Sequence, residues 1–135
     1  DSGATWKEQT AAGKIHCYSI ASSSDGTKLA ASDYYGYIWT STDSGVTWTK
    51  QTGSGSRYWA SIASSSDGTK LVAGDYIGAG SGGYIYISTD SGVNWTEQTA
   101  AGSNGWRAIA SSTDGTKLAA VAEYAYIWTA LYNKK

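Results

Sequence analysis

The sequence predicts an all-β chain built from one repeated four-stranded unit, and three observations carry that expectation. A phrase recurs: "STDSGVTW" at Ser41 to Trp48 returns as "STDSGVNW" at Ser88 to Trp95, and "DSGATW" at Asp1 to Trp6 is the same phrase without its head. The turn Asp-Gly-Thr-Lys stands at Asp25, Asp67 and Asp114, where Asp tolerates and Gly favours the positive φ that tight hairpins ask for. The apolar content comes mostly from Ala, Ile, Tyr and Trp, with 17 Gly and no Pro, Phe or Met. Such a mixture suits half-buried strands joined by tight turns.

Each unit reads as four short strands. The first ends in "SIASS" (Ser19 to Ser23, Ser61 to Ser65) or "AIASS" (Ala108 to Ser112), and the second is "KLAAS", "KLVAG" or "KLAAV" across the turn. The third, "YIWTS" and its variants, alternates with period two and sets Ile on one face and aromatics on the other. The fourth is "TWTKQT" (Thr47 to Thr52) or "NWTEQT" (Asn94 to Thr99). "TWKEQT" (Thr5 to Thr10) is a further copy of that fourth strand at the N-terminus, whereas the C-terminal unit lacks one. The expected organisation is an outer strand at 1–10, then units at 11–52, 53–99 and 100–135, the last without its outer strand.

Four-stranded units of about 40 to 50 residues are the signature of β-propeller blades. A propeller typically takes roughly 4 to 8 blades, so three alone leave strand edges and apolar faces uncovered. The two ends of the chain are complementary. The expectation is therefore a homodimer that closes a six-bladed ring, with the N-terminal strand of each copy completing a blade of its partner. Nine blades from three copies stays open at this point. So do a monomeric β-trefoil, which also has three units and twelve strands, and an excised or engineered piece of a longer propeller.

The phrase Ser-x-Asp-x-Gly-x-x-Trp resembles the Asp-box of the BNR repeat family, found in sialidase-like propellers, sortilin-type receptors and photosystem II assembly factors. It is complete at Ser41, Asp43, Gly45, Trp48 and at Ser88, Asp90, Gly92, Trp95; Asp1, Gly3 and Trp6 remain of it at the N-terminus. Its reading is structural. The Asp carboxylate can accept from backbone N–H groups of its own turn, Gly supplies a φ that a side chain resists, and Trp covers the turn with apolar area. A calcium loop needs several oxygen ligands and the phrase offers one carboxylate, so neither metal nor cofactor is expected. The resemblance implies an extracytoplasmic or secreted protein; the residues themselves leave the compartment unknown.

Function is expected where the units differ. The Asp-Gly-Thr-Lys turns and the repeated phrase scarcely change, and both lie at one end of the blades. The variable connections lie at the other: those before each first strand (Ala11 to Tyr18, Gly53 to Ala60, Ala100 to Ala108) and those between second and third strands (Ser32 to Tyr37, Gly74 to Tyr84, Val121 to Tyr126). Binding residues ride on loops held by a rigid scaffold. This face collects His16, Asp33, Tyr34, Tyr35, Arg57, Tyr58, Trp59, Asp75, Tyr76, Trp106 and Arg107 as candidate ligand-binding residues, with Lys14, Glu123 and Tyr124 beside them. Aromatic rings among carboxylates suit a glycan, and a peptide is the other ligand considered. Trp59 and Trp106 share a register with Cys17, which also admits a packing role. Asp33, Asp75 and Glu123 share another, as caps or anchors of their loops. Arg57 and Arg107 occupy different registers and are the better specificity candidates.

Sialidase chemistry, which the resemblance raises, takes three arginines, a Tyr–Glu nucleophile pair and an acid/base Asp. Arg57 and Arg107 are the only arginines. The expected function is a non-catalytic binding or assembly module, the alternatives being a purely structural or engineered assembly unit and a glycosidase-like enzyme. A net charge of −1 supplies no field for nucleic acid or an anionic membrane, and no apolar run is long enough to span a bilayer. Cys17 is the one cysteine, which excludes a disulfide framework; His16 beside it points to the opposite strand face. The sequon Asn94-Trp95-Thr96 falls within the repeated phrase and is read as chance.

Overall fold

The computed structural model describes residues 3–77 and 82–133. These residues form three antiparallel sheets in chain order. The first holds β1 (Cys17–Ser22), β2 (Leu29–Asp33), β3 (Ile38–Ser41) and β4 (Thr49–Gln51), and the second β5 (Trp59–Ser64), β6 (Leu71–Asp75), β7 (Ile85–Ser88) and β8 (Thr96–Glu97). The third holds β9 (Trp106–Ser111), β10 (Lys117–Ala122) and β11 (Ile127–Leu131) and has no fourth strand among the described residues. Each unit closes its own sheet as a meander, which is how propeller blades are built and which removes the trefoil alternative. The registers repeat: Ile20 faces Ala31, Ile62 faces Ala73 and Ile109 faces Ala120. Among the described residues no helix is long and apolar enough to cross a membrane.

Core forms where one blade faces the next. Ala30 and Ile38 of the first blade meet Trp59, Ile62, Leu71, Ala73 and Tyr86 of the second. Val72, Ile85 and Ile87, on the other side of the second blade, meet Trp106, Ala120 and Ala122 of the third. Full burial of a large apolar side chain contributes about 1.5–3 kcal/mol, so the middle blade gains on both faces. Every residue of β6 and β7 is buried, and every residue of β11 is exposed.

Polar contacts step along the arc in the same repeating way. Ser24 N–H donates to the Ser66 carbonyl at 2.7 Å, and Ser66 N–H donates to the Thr113 carbonyl at 2.7 Å. Lys28 Nζ donates to the Asp67 carbonyl at 2.9 Å and Lys70 Nζ to the Asp114 carbonyl at 2.6 Å. The innermost strands are joined through hydroxyls, Ser19 Oγ accepting from Ile62 N–H and Ser61 Oγ from Ile109 N–H.

Residues 5–10 lie outside the strands of all three sheets, and Asp1 lies outside the described residues. One detail, the register within each first strand, departs from the sequence expectation. Each first strand carries an irregularity: the pairing shifts between Cys17 and Ser19, between Trp59 and Ser61, and between Trp106 and Ala108. The extra residues, Tyr18, Ala60 and Arg107, are equivalent. A bulge re-aims the side chain it carries, and two of these three reach the candidate site.

Candidate functional site

The two turn sets share the constant end of the blades. Ser44 N–H donates to the Thr27 carbonyl and Ser91 N–H to the Thr69 carbonyl, both at 2.9 Å. Within the repeated phrase Asp43 accepts from Ser41 Oγ (2.8 Å), Thr47 N–H (2.8 Å) and Thr47 Oγ1 (2.6 Å). Gly45 N–H donates to Ser41 Oγ, and the Trp48 indole N–H to the Gly45 carbonyl at 2.9 Å. Ser88, Asp90, Gly92, Asn94 and Trp95 repeat the arrangement. The Thr47 and Ser41 donors hold the Asp43 carboxyl down to about 2. Its oxygens are engaged by their own turn, which leaves little chemistry to this end.

The opposite end is built on backbone bonds between the variable connections. Tyr34 N–H donates to the His16 carbonyl, Tyr76 N–H to the Tyr58 carbonyl, and Arg57 N–H to the Gly36 carbonyl. Together they bring the rings of the first two blades into one cluster. Tyr18 stacks on Tyr34 at 4.4 Å between centroids and His16 on Tyr35 at 5.5 Å. Tyr58 meets both Tyr34 and Tyr35 edge-on, at 5.6 and 5.3 Å. Tyr18, Tyr35 and Tyr58 are exposed at 55, 64 and 39%, so ring area faces solvent in a continuous patch.

A second group joins the middle and third blades. The Arg107 guanidinium lies over the Tyr76 ring at 4.0 Å. Its Nη2 donates to Glu123 Oε1 at 2.6 Å and to the Tyr76 hydroxyl at 3.0 Å, and that hydroxyl donates to Glu123 Oε2 at 2.6 Å. The Tyr76 hydroxyl and Arg107 hold the Glu123 carboxyl below its ordinary range. Glu123 is thus an ionised carboxylate at neutral pH, partly open to solvent.

The remaining candidates take other places. Trp59 and Trp106 are 0% exposed and belong to the core, so neither offers a ring face to a ligand. Asp75 is 2% exposed; it accepts from Tyr58 N–H at 3.2 Å and lies 3.9 Å from Arg57 Nη1. Burial raises the Asp75 pKa against the opposing pull of Arg57. The Arg57 guanidinium sits over the Tyr86 ring at 4.4 Å, with its side chain 37% exposed. Asp33 accepts from Tyr35 N–H at 3.4 Å within its own loop, as an anchor would. Tyr124 is 94% exposed and stands apart, at a positive φ of 54°. Sequence reasoning misses Tyr18. Its equivalence with Arg107, one register place after Cys17 and Trp106, is the signal that could find it.

No protein-family model matches the chain, and no curated protein is similar to it at a significant level. Solved structures are. A GH74 xyloglucanase from Xanthomonas campestris matches with a TM-score of 0.64 at 22% identity, over 88% of this chain and 21% of its own. A GH74 enzyme from Niastella koreensis matches with a TM-score of 0.55 at 26% identity, over 76% of this chain and 14% of its own. YCF48 bound to D1 peptide matches with a TM-score of 0.66 at 12% identity, over 87% of this chain and 37% of its own. These likenesses establish propeller-like blades. The chain spans well under half of the length of each.

The expectation of a non-catalytic module is corrected by these neighbours. GH74 enzymes stand among them beside YCF48, so the want of a sialidase residue set does not set enzymes aside. The arginine count bears on one hydrolase chemistry only.

Proposed function

We propose that this chain is a blade-forming segment of a polysaccharide-acting β-propeller, taking a β-glucan across its variable end. The observation that carries the reading is the exposed ring patch of His16, Tyr18, Tyr34, Tyr35 and Tyr58, which leads toward Tyr76, Arg107 and Glu123. Flat rings present apolar area to sugar faces with a polar tip for hydroxyls. Glycoside hydrolysis passes through an oxocarbenium-like transition state that an ionised carboxylate stabilises, and a second carboxyl must be held protonated. Glu123 meets the first requirement. Asp75 has the raised pKa of the second but is enclosed, its carboxylate accepting from Tyr58 N–H, so of the two carboxyls Glu123 is the one that faces the patch. Two copies complete the ring in this reading, six blades in all, each supplying an outer strand to the other's last blade.

The test is release of reducing ends from xyloglucan and mixed-linkage β-glucan. Glu123→Gln should lower the rate by roughly 10²-fold or more, the range for a positioned catalytic group. Tyr35→Ala should raise KM with kcat held. A chain that neither cleaves nor is retained by any β-glucan overturns the reading.

A further inference from the structure

The third blade is open on the side that faces the second. A cavity of about 290 Å³ lies there, its apolar wall formed by Val72, Ile85, Ile87, Ile109, Leu118 and Trp128. Its counterpart at the preceding junction is filled. There Trp95 packs against the cluster that holds Ile38, Ile62, Leu71 and Tyr86, with its ring 6.0 Å from that of Trp59. Trp95 comes from the repeated phrase just before a fourth strand. The third blade has no such phrase. Beyond Trp48 and Trp95, the Trp of that type in this chain is Trp6, which is 91% exposed.

The surroundings of the phrase repeat as well. A Cβ at Gly45 would meet Leu29 and Gln9, and one at Gly92 would meet Thr40, Leu71 and Gln51. Each phrase therefore sits between the leucine of its own second strand and a glutamine from the preceding fourth-strand segment. Leu118 and Gln98 are the next members of these two series, and both line the cavity. The place of Gln9 beside Gly45 further shows that residues near 9 already lie where the fourth strand of a blade preceding the first would lie.

We infer that the cavity takes Trp6 of a second copy, which brings Gly3 to Leu118 and Gln98, and that the first blade of that copy then abuts the third blade here. This contact rests on the ring reading above. The repeating polar steps continue across the junction. Lys117 Nζ donates to the partner's Asp25 carbonyl, following Lys28 to Asp67 and Lys70 to Asp114. Gly68 and Gly115 are buried beneath the stems of Lys28 and Lys70, whereas a Cβ at Gly26 would meet nothing within 4 Å, so that position is open to receive Lys117.

Sedimentation equilibrium of the full chain tests this. The wild type should sediment at twice the mass of one chain, and Trp6→Ala should raise the dimer Kd by at least about thirtyfold, as a central aromatic anchor does. Trp6 is exposed, so circular dichroism of the variant should stay unchanged. Excess peptide DSGATWKEQT should convert dimer to peptide-bound monomer, and the same peptide with Trp6→Ala should not. In a Cys17→Ser background, Gly26→Cys with Lys117→Cys should give a covalent dimer on oxidation. A wild-type monomer overturns the ring reading and this inference together. A dimer indifferent to Trp6→Ala and to the peptide, or one that the cysteine pair does not link, overturns this contact assignment and leaves the ring reading standing.

Discussion

Ser61 Oγ accepts a hydrogen bond from the backbone N–H of Ile109 at 3.0 Å, tying the innermost strand of the middle blade to that of the third. The hydroxyl is supplied by a 6% exposed residue, so removing it strands a partly buried donor. Ser61→Ala should lower stability by about 1–3 kcal/mol, read as a lower urea midpoint at constant m. Ser19→Ala should cost less, since its bond to Ile62 is longer at 3.3 Å.

Trp59 and Tyr35 set a packed ring against an exposed one. Trp59 is enclosed between Tyr86 and Trp95, and Trp59→Ala should destabilise by about 3–5 kcal/mol. Tyr35 is 64% exposed, and Tyr35→Ala should stay within about 0.5 kcal/mol in stability. Thermal unfolding of the two variants checks both.

Acid should loosen the constant end first. The Asp43, Asp25 and Asp67 carboxyls are held down to about 2 from an ordinary 3.8, Asp43 by Thr47, Asp25 by Ser23 and Asp67 by Ser65. A carboxyl whose pKa is depressed by folding stabilises the fold above its unfolded value, and that contribution is lost as pH falls through the folded one. Stability should therefore hold down to about pH 4 and decline between there and about pH 2. Asp43→Asn should flatten part of that decline, as read from urea midpoints against pH.

Gly83 should resist any side chain. A Cβ there would collide with the Asp75 carbonyl oxygen and stand 2.7 Å from that of Asn104, both backbone atoms that cannot swing aside. Gly83→Ala should force the second and third blades to shift and cost at least about 1–3 kcal/mol. Gly82→Ala, with Ile77 Cδ1 as its nearest neighbour at 3.7 Å, meets no such wall but sits at a φ of +86° and should cost about 1 kcal/mol. The difference between the two thermal midpoints is the readout.

Much of the architecture is legible in the sequence because the units repeat. Aligning Ile20, Ile62 and Ile109 places equivalent residues at equivalent points of each sheet, and the turns follow from Asp-Gly-Thr-Lys. The site is harder to see. Alternation along a strand sets a side chain's face only while the register holds, and the bulges at Tyr18 and Arg107 break it just where the strand enters the variable end. Trp59 and Asp75 look like surface because their segments vary between units, yet both are buried. The carboxylate–arginine–tyrosine group of Glu123, Arg107 and Tyr76 joins residues up to 47 positions apart, which no local pattern announces.

The middle blade has both faces covered, while β11 lies open along its whole length. A stack in which each layer touches only its neighbours draws its stability from the junctions, so its layers do not melt as equals. In chains kept apart by Trp6→Ala, the central amides of β6 and β7 should exchange last, and those of β11 first. Loss of a lone chain's outer layers would leave the interior one without its cover, whereas ring closure would give every layer two neighbours.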